Sequence, residues 1–157
     1  MGATTRGYTL VEVMMVLVIL GVAAAMTGPS LRRWTAKVRV QAALNLVATD
    51  LAHARIQAVR SGRGAVVRFQ ASGDCGGRRA GHRYVVVARP ARVVRSTSVR
   101  MDGARVCLEY TNSDTVAFNS RGLLVPFANR TIRATAVRGQ VRDSLTLSVA
   151  GRIFRRF

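Results

Sequence analysis

Two cysteines, two histidines and seven acidic residues are the side chains best suited to metal binding or general acid–base chemistry in this chain of 157 residues. No Cys-x-x-Cys occurs, and His53 and His82 lie far apart, a spacing that fits no zinc site. Asp102 and Glu109 could meet in a hairpin, but nothing nearby supplies a partner base. The nucleophile elbow, the phosphate-binding loop, the zinc-protease helix motif and the dinucleotide fingerprint are all absent. Ser120–Arg121–Gly122 reads as a turn. The pattern points away from catalysis, from a metal or cofactor, and from a small-molecule substrate. If the domain lies outside the cytoplasm, Cys75 and Cys107 are candidates for a disulfide. It would close a loop of about 30 residues and stabilise the fold by about 3–4 kcal/mol. Two buried thiols are the alternative.

One acid stands in unusual company. Glu12 sits near the head of "RGYTLVEVMMVLVILGVAAAMTGPSL", where every residue from Val13 to Met26 is apolar or glycine. An ionised carboxylate within an apolar helix costs several kcal/mol unless it finds a partner. The low-polarity stretch from Tyr8 to Gly28 would make about 31 Å of helix, enough for a hydrocarbon core of roughly 30 Å. A secretory signal peptide, with Arg6 as its charged region and cleavage near Ala23 to Ala25, is one reading. A plain membrane anchor is another. Neither explains Glu12.

The remaining chemistry is cationic. Twenty-five basic residues, all arginine except Lys37, give a formal net charge of +18. Codon bias accounts for the Arg-to-Lys ratio but not for the shortage of acids. Such a charge favours polyanionic partners: nucleic acid, anionic lipid or an acidic protein. Arg152, Arg155 and Arg156 surround Phe154 near the carboxyl end. Arginines there could contact phosphates without reading sequence, or simply solvate a terminal strand.

The elements that carry these groups follow from periodicity. The length suits one compact domain plus an appendage. From Ser30 the chain turns amphipathic: Val40, Leu44, Val47, Leu51, Ala54 and Ala58 mark one helical face. "RSGRG" (Arg60–Gly64) ends that helix with glycine and late positive charge. Beyond it the period changes to two. "GAVVRF", "HRYVVVAR", "RVCLEYT", "TVAFN", "TIRATAV" and "DSLTLSVA" read as short strands of a half-buried antiparallel sheet. Gln70–His82 reads as a surface loop carrying Cys75. Arg32, Arg33, Lys37 and Arg39 follow the apolar run, a placement that usually marks the cytoplasmic side.

The amino-terminal stretch resembles a type IV prepilin leader: a short polar leader ending in glycine, an aromatic residue, then "TLVEVMMVLVIL". The resemblance implies that prepilin peptidase cuts after Gly7 and methylates Tyr8. Glu12 then falls at the fifth mature position, where its carboxylate would pair with the terminal amine of a neighbouring subunit. Gly21 and Pro29 would be sites where the helix kinks at the membrane surface or melts in the assembled filament. "VAFNSRGLL", with Phe118 and Gly122, and "LTLSVAGRIFRRF" resemble strand–turn and closing elements of the GspH/FimT subgroup. That subgroup holds the H-type pseudopilins of type II secretion and minor type IV pilins.

The family implies an α+β, pilin-like fold: a long N-terminal helix, transmembrane in its first half, packed on a C-terminal antiparallel β-sheet domain. Residues 1–7 would be the leader, 8–28 the transmembrane and assembly helix, 29–62 its amphipathic continuation, and 63–157 the β domain. It implies a single-pass protein of the bacterial inner membrane with its C-terminal domain in the periplasm or in an extracellular filament, against the usual sign of the flanking charge. Its partners would be other pilins or pseudopilins and prepilin peptidase. FimT-like minor pilins carry a terminal GRxR-type element associated with DNA binding during natural transformation. Here the spacing is GRxFR, one residue longer, and the resemblance makes Arg152, Arg155 and Arg156 candidates for DNA contact. A DNA-binding module as the main role, or a β protein secreted by a signal peptide, are the alternatives.

Overall fold

A computed structural model describes residues 8–75, 80–88, 92–101, 104–111, 113–136 and 141–156; the side chains of residues 26–30, 74, 100, 101, 104, 105 and 156 lie outside that description. The chain divides into two units, Met1–Thr35 and Ala36–Phe157. One helix, α1, is formed by Leu10–Ser61.

In the first unit the helix starts where Thr9 accepts a hydrogen bond from the Glu12 amide on its Oγ1 at 3.3 Å, with a second bond to the Thr9 carbonyl at 3.1 Å. Thr9 is thus the N-cap, and Thr9-x-x-Glu12 has the spacing of a capping box. The described side chains from Tyr8 to Ala25 are all exposed, which leaves an apolar surface that water disfavours. Among the described residues no helix is long and apolar enough to cross a membrane; Leu10–Ala25 alone rises about 24 Å.

In the second unit, the amphipathic half of α1 lies on two antiparallel sheets. The strands are β1 (Ala65–Gln70), β2 (Ala80–Gly81), β3 (Arg83–Ala88), β4 (Arg92–Ser98), β5 (Arg100–Met101), β6 (Ala104–Tyr110), β7 (Thr115–Phe118), β8 (Leu124–Val125), β9 (Arg130–Ala136), β10 (Arg142–Leu147) and β11 (Ile153–Arg156). One sheet has the order β4-β3-β1-β7-β8 and the other β11-β10-β9-β6-β2, with β5 paired to β6. Ala65, Val67 and Phe69 of β1 point into the core while Arg68 and Gln70 face outward, the alternation of a half-buried strand.

Val40, Leu44, Val47, Leu51, Ala54 and Ala58 are all buried, in one cluster with Val67, Tyr84, Leu108, Ile132 and Leu147. Burying this stripe holds the helix against both sheets. Truncating Leu44 to alanine would cost about 2–5 kcal/mol. The stretch from Gln70 to His82 is not wholly loop. It contains a 3-10 turn at Gly73–Cys75 and strand β2, which pairs with β6 through Ala80↔Glu109 and Gly81↔Leu108. Strand β4 is a further addition to the periodic reading. It is exposed along nearly its whole length, so it carries no alternation; backbone pairing to β3 makes it a strand.

Candidate functional site

Three polar residues on the second half of α1, Asn45, Asp50 and Arg55, each reach a different part of the β domain. Asn45 accepts a hydrogen bond on its Oδ1 from Arg155 Nη1 at 2.9 Å. Asp50, 1% exposed, accepts from the Tyr84 hydroxyl at 2.7 Å and from Thr97 Oγ1 at 3.1 Å, and pairs with Arg95 Nη1 at 3.0 Å. A carboxylate this buried persists only when charge and hydrogen bonds compensate it. Burial, and then the hydrogen bond to the Asp50 carboxylate, push the Tyr84 phenol well above its ordinary range. Arg55 donates from Nε to the Gly122 carbonyl at 3.1 Å and from Nη1 to the Gly151 carbonyl at 3.3 Å.

That last contact explains two of the short sequence elements. Gly122 and Gly151 both have positive φ, 74° and 71°, which side chains with a Cβ adopt only at a cost. The turn after β7 is set by Asn119, whose Oδ1 accepts from the amides of Arg121 and Leu123, both at 2.9 Å. The turn before β11 is set by Ser148, whose backbone and side chain both bond to Arg152 backbone groups. Arg55 draws the two turns together on the helix.

The carboxyl-terminal arginines diverge. Arg155 is half-buried, and its guanidinium grips Asp143 Oδ2 at 2.8 and 3.2 Å. Arg152 is exposed, as is Phe154 at 54%. The Arg156 side chain lies outside the described residues. The tail therefore presents Arg152 and Phe154 outward and spends Arg155 on its own fold.

At the other end, Tyr8 and Glu12 are both exposed, and Gly7 lies outside the described residues. Gly21 and Pro29 both fall within α1. Cys75 and Cys107 are joined in a disulfide, with Cα atoms 5.7 Å apart, that ties the 3-10 turn to β6. His53 is exposed and His82 is buried at the β2–β3 junction. Among the described residues no group of three or more His, Cys, Asp or Glu side chains could hold a metal ion. Thr9 was missed from the sequence, although its threonine-to-glutamate spacing was the available signal.

Comparison with known proteins agrees with this architecture. Residues 3–28 match the prokaryotic N-terminal methylation motif, and residues 43–151 match the type II transport protein GspH. The fold is similar to crystal structures of the type IV minor pilin FimU of Pseudomonas aeruginosa (strain PAO1). In one crystal form the TM-score is 0.63 at 20% identity, covering 79% of this chain and 92% of that chain. In another it is 0.55 at 22% identity, covering 74% and 92%. No curated protein sequence matches the chain.

Proposed function

The chain belongs to the GspH family of type II transport proteins, and from that premise we propose that it is a minor pilin or pseudopilin built in near the tip of a filament. Prepilin peptidase cuts after Gly7 and methylates Tyr8. The apolar segment from Tyr8 to Gly28 anchors the subunit in the bacterial inner membrane, and the β domain lies in the periplasm or on the extracellular filament. The observation that carries this reading is the order of two matches on one chain: the methylation motif over residues 3–28, then the GspH domain over 43–151. The exposed apolar surface of Leu10–Ala25 supports it, since such a helix needs lipid or neighbouring helices around it. Mass spectrometry of the protein from cells that contain prepilin peptidase should find N-methylated Tyr8 as the first residue. A chain beginning at Met1, or after Ala25, would overturn the assignment.

Sequence-independent DNA binding is a second reading, favoured by the charge of +18 and the outward placement of Arg152 beside Phe154. DNA retardation should weaken steeply as salt rises. Arg152→Ala should weaken it with no loss of thermal stability. Arg155→Ala should lower stability because it strands the Asp143 carboxylate. If retardation is indifferent to Arg152, the attraction is diffuse charge rather than a tail site.

A further inference from the structure

In the second unit an apolar stripe of α1 is left uncovered beside the last strand. Ala52, Ile56 and Val59 form a stripe on α1 beside β11, and with Ile153 and Phe154 they line a groove of about 780 Å³. Ile56 is 48% exposed and Val59 51%. Arg60 and Arg152, both exposed, stand along it, and no acidic residue lines it. The Arg55 guanidinium is turned to the Gly122 and Gly151 carbonyls.

Among the described residues, strand β11 pairs with β10 alone and is the outer strand of its sheet. An unpaired strand edge is a template for another extended segment about 4.8 Å away. Ile153 and Phe154 of this edge strand line the same groove as the apolar stripe. A second copy is a poor occupant, because each copy carries +18 and offers few acids. Of its acids, buried Asp50 and half-buried Asp143 are already paired with Arg95 and Arg155.

We infer that this groove captures an extended, acidic segment of a different protein chain, which adds as a strand to the free edge of β11. Its alternate apolar side chains rest on Ile56 and Val59, and its carboxylates face Arg60 and Arg152. Backbone pairing gives the affinity, and the apolar stripe with its cations gives the specificity. Peptide capture by this unit needs neither leader cleavage nor filament assembly, so it and the filament reading fail separately.

The test uses the full chain in detergent micelles and a fluorescein-labelled peptide of about eight residues alternating valine and glutamate. Fluorescence anisotropy should show saturable binding. Affinity should fall about tenfold or more with Ile56→Glu, with Arg60→Glu plus Arg152→Glu, and with the same peptide N-methylated at alternate amides. All three replaced residues are exposed or half-exposed, and unchanged thermal unfolding of each variant should show that the fold is intact. The inference is overturned by no saturable binding, by equal binding of a valine–lysine peptide, or by indifference to N-methylation. A single-stranded oligonucleotide that displaces the peptide would make nucleic acid the occupant instead. Dimerisation of the chain abolished by Ile56→Glu would make it a second copy.

Discussion

Gly151 lies so close to Gly122 that a Cβ placed on it would stand 2.7 Å from the Gly122 carbonyl oxygen and 2.9 Å from Arg55 Nε. The two turns before β8 and β11 are therefore packed through bare backbone, with one helix arginine bonded to both. Gly151→Ala should destabilise the fold by about 1–3 kcal/mol from the positive φ alone, with the contact to Gly122 adding to it. Arg55→Ala should cost about 1–3 kcal/mol, because two part-buried carbonyls lose their donor. Urea unfolding of each variant measures both. A double variant that costs no more than the larger single change would show that the three residues act as one unit.

Tyr84 and Asp50 make an alkaline limb in the stability curve. The phenol's ordinary value is 10.0, and burial beside Asp50 raises it in the folded chain. Below that value the phenol is neutral in both states and contributes no pH dependence. Above it the unfolded chain ionises first, so stability falls as pH rises. Tyr84→Phe should flatten this limb while costing about 1 kcal/mol at neutral pH. An unchanged slope above pH 10 in that variant would assign the limb to other groups.

The Cys75–Cys107 bridge joins residues 32 apart in sequence. Its removal by Cys75→Ser with Cys107→Ser should lower stability by about 3–4 kcal/mol, as expected for a loop of that length. The same loss should follow reduction of the native chain, with no further loss when the double variant is treated with reductant. Thermal unfolding with and without dithiothreitol measures it.

Glu12 sits in the first turn of α1, and its amide bonds to Thr9. A carboxylate there is favoured by the helix dipole, a local role distinct from pairing with another subunit's amine. Glu12→Ala should leave membrane insertion intact and reduce incorporation into filaments. Thr9→Ala should weaken only the helix start, by about 1 kcal/mol, and leave incorporation near normal. Equal loss in both variants, measured on sheared filaments, would make the helix start rather than the charge the determinant.

Local patterns determined much of this protein. The apolar run, the buried helix face from Val40 to Ala58, the glycine–aromatic–glutamate spacing and the alternating strands are each visible within a few residues of one another. They were legible because hydrophobic period and motif spacing are properties of neighbouring positions. Strand β4 was not legible, since an exposed edge strand is defined by backbone bonds to β3 rather than by its own pattern. Only the tertiary structure decided what three polar residues of α1 do. Asn45, Asp50 and Arg55 find partners 34 to 110 residues away, and Arg155, one of three similar arginines in the sequence, is withdrawn to Asp143 while Arg152 stays outside. Hydrogen-bond partners so distant in the chain are set by how the helix and sheets pack, and no local spacing encodes them.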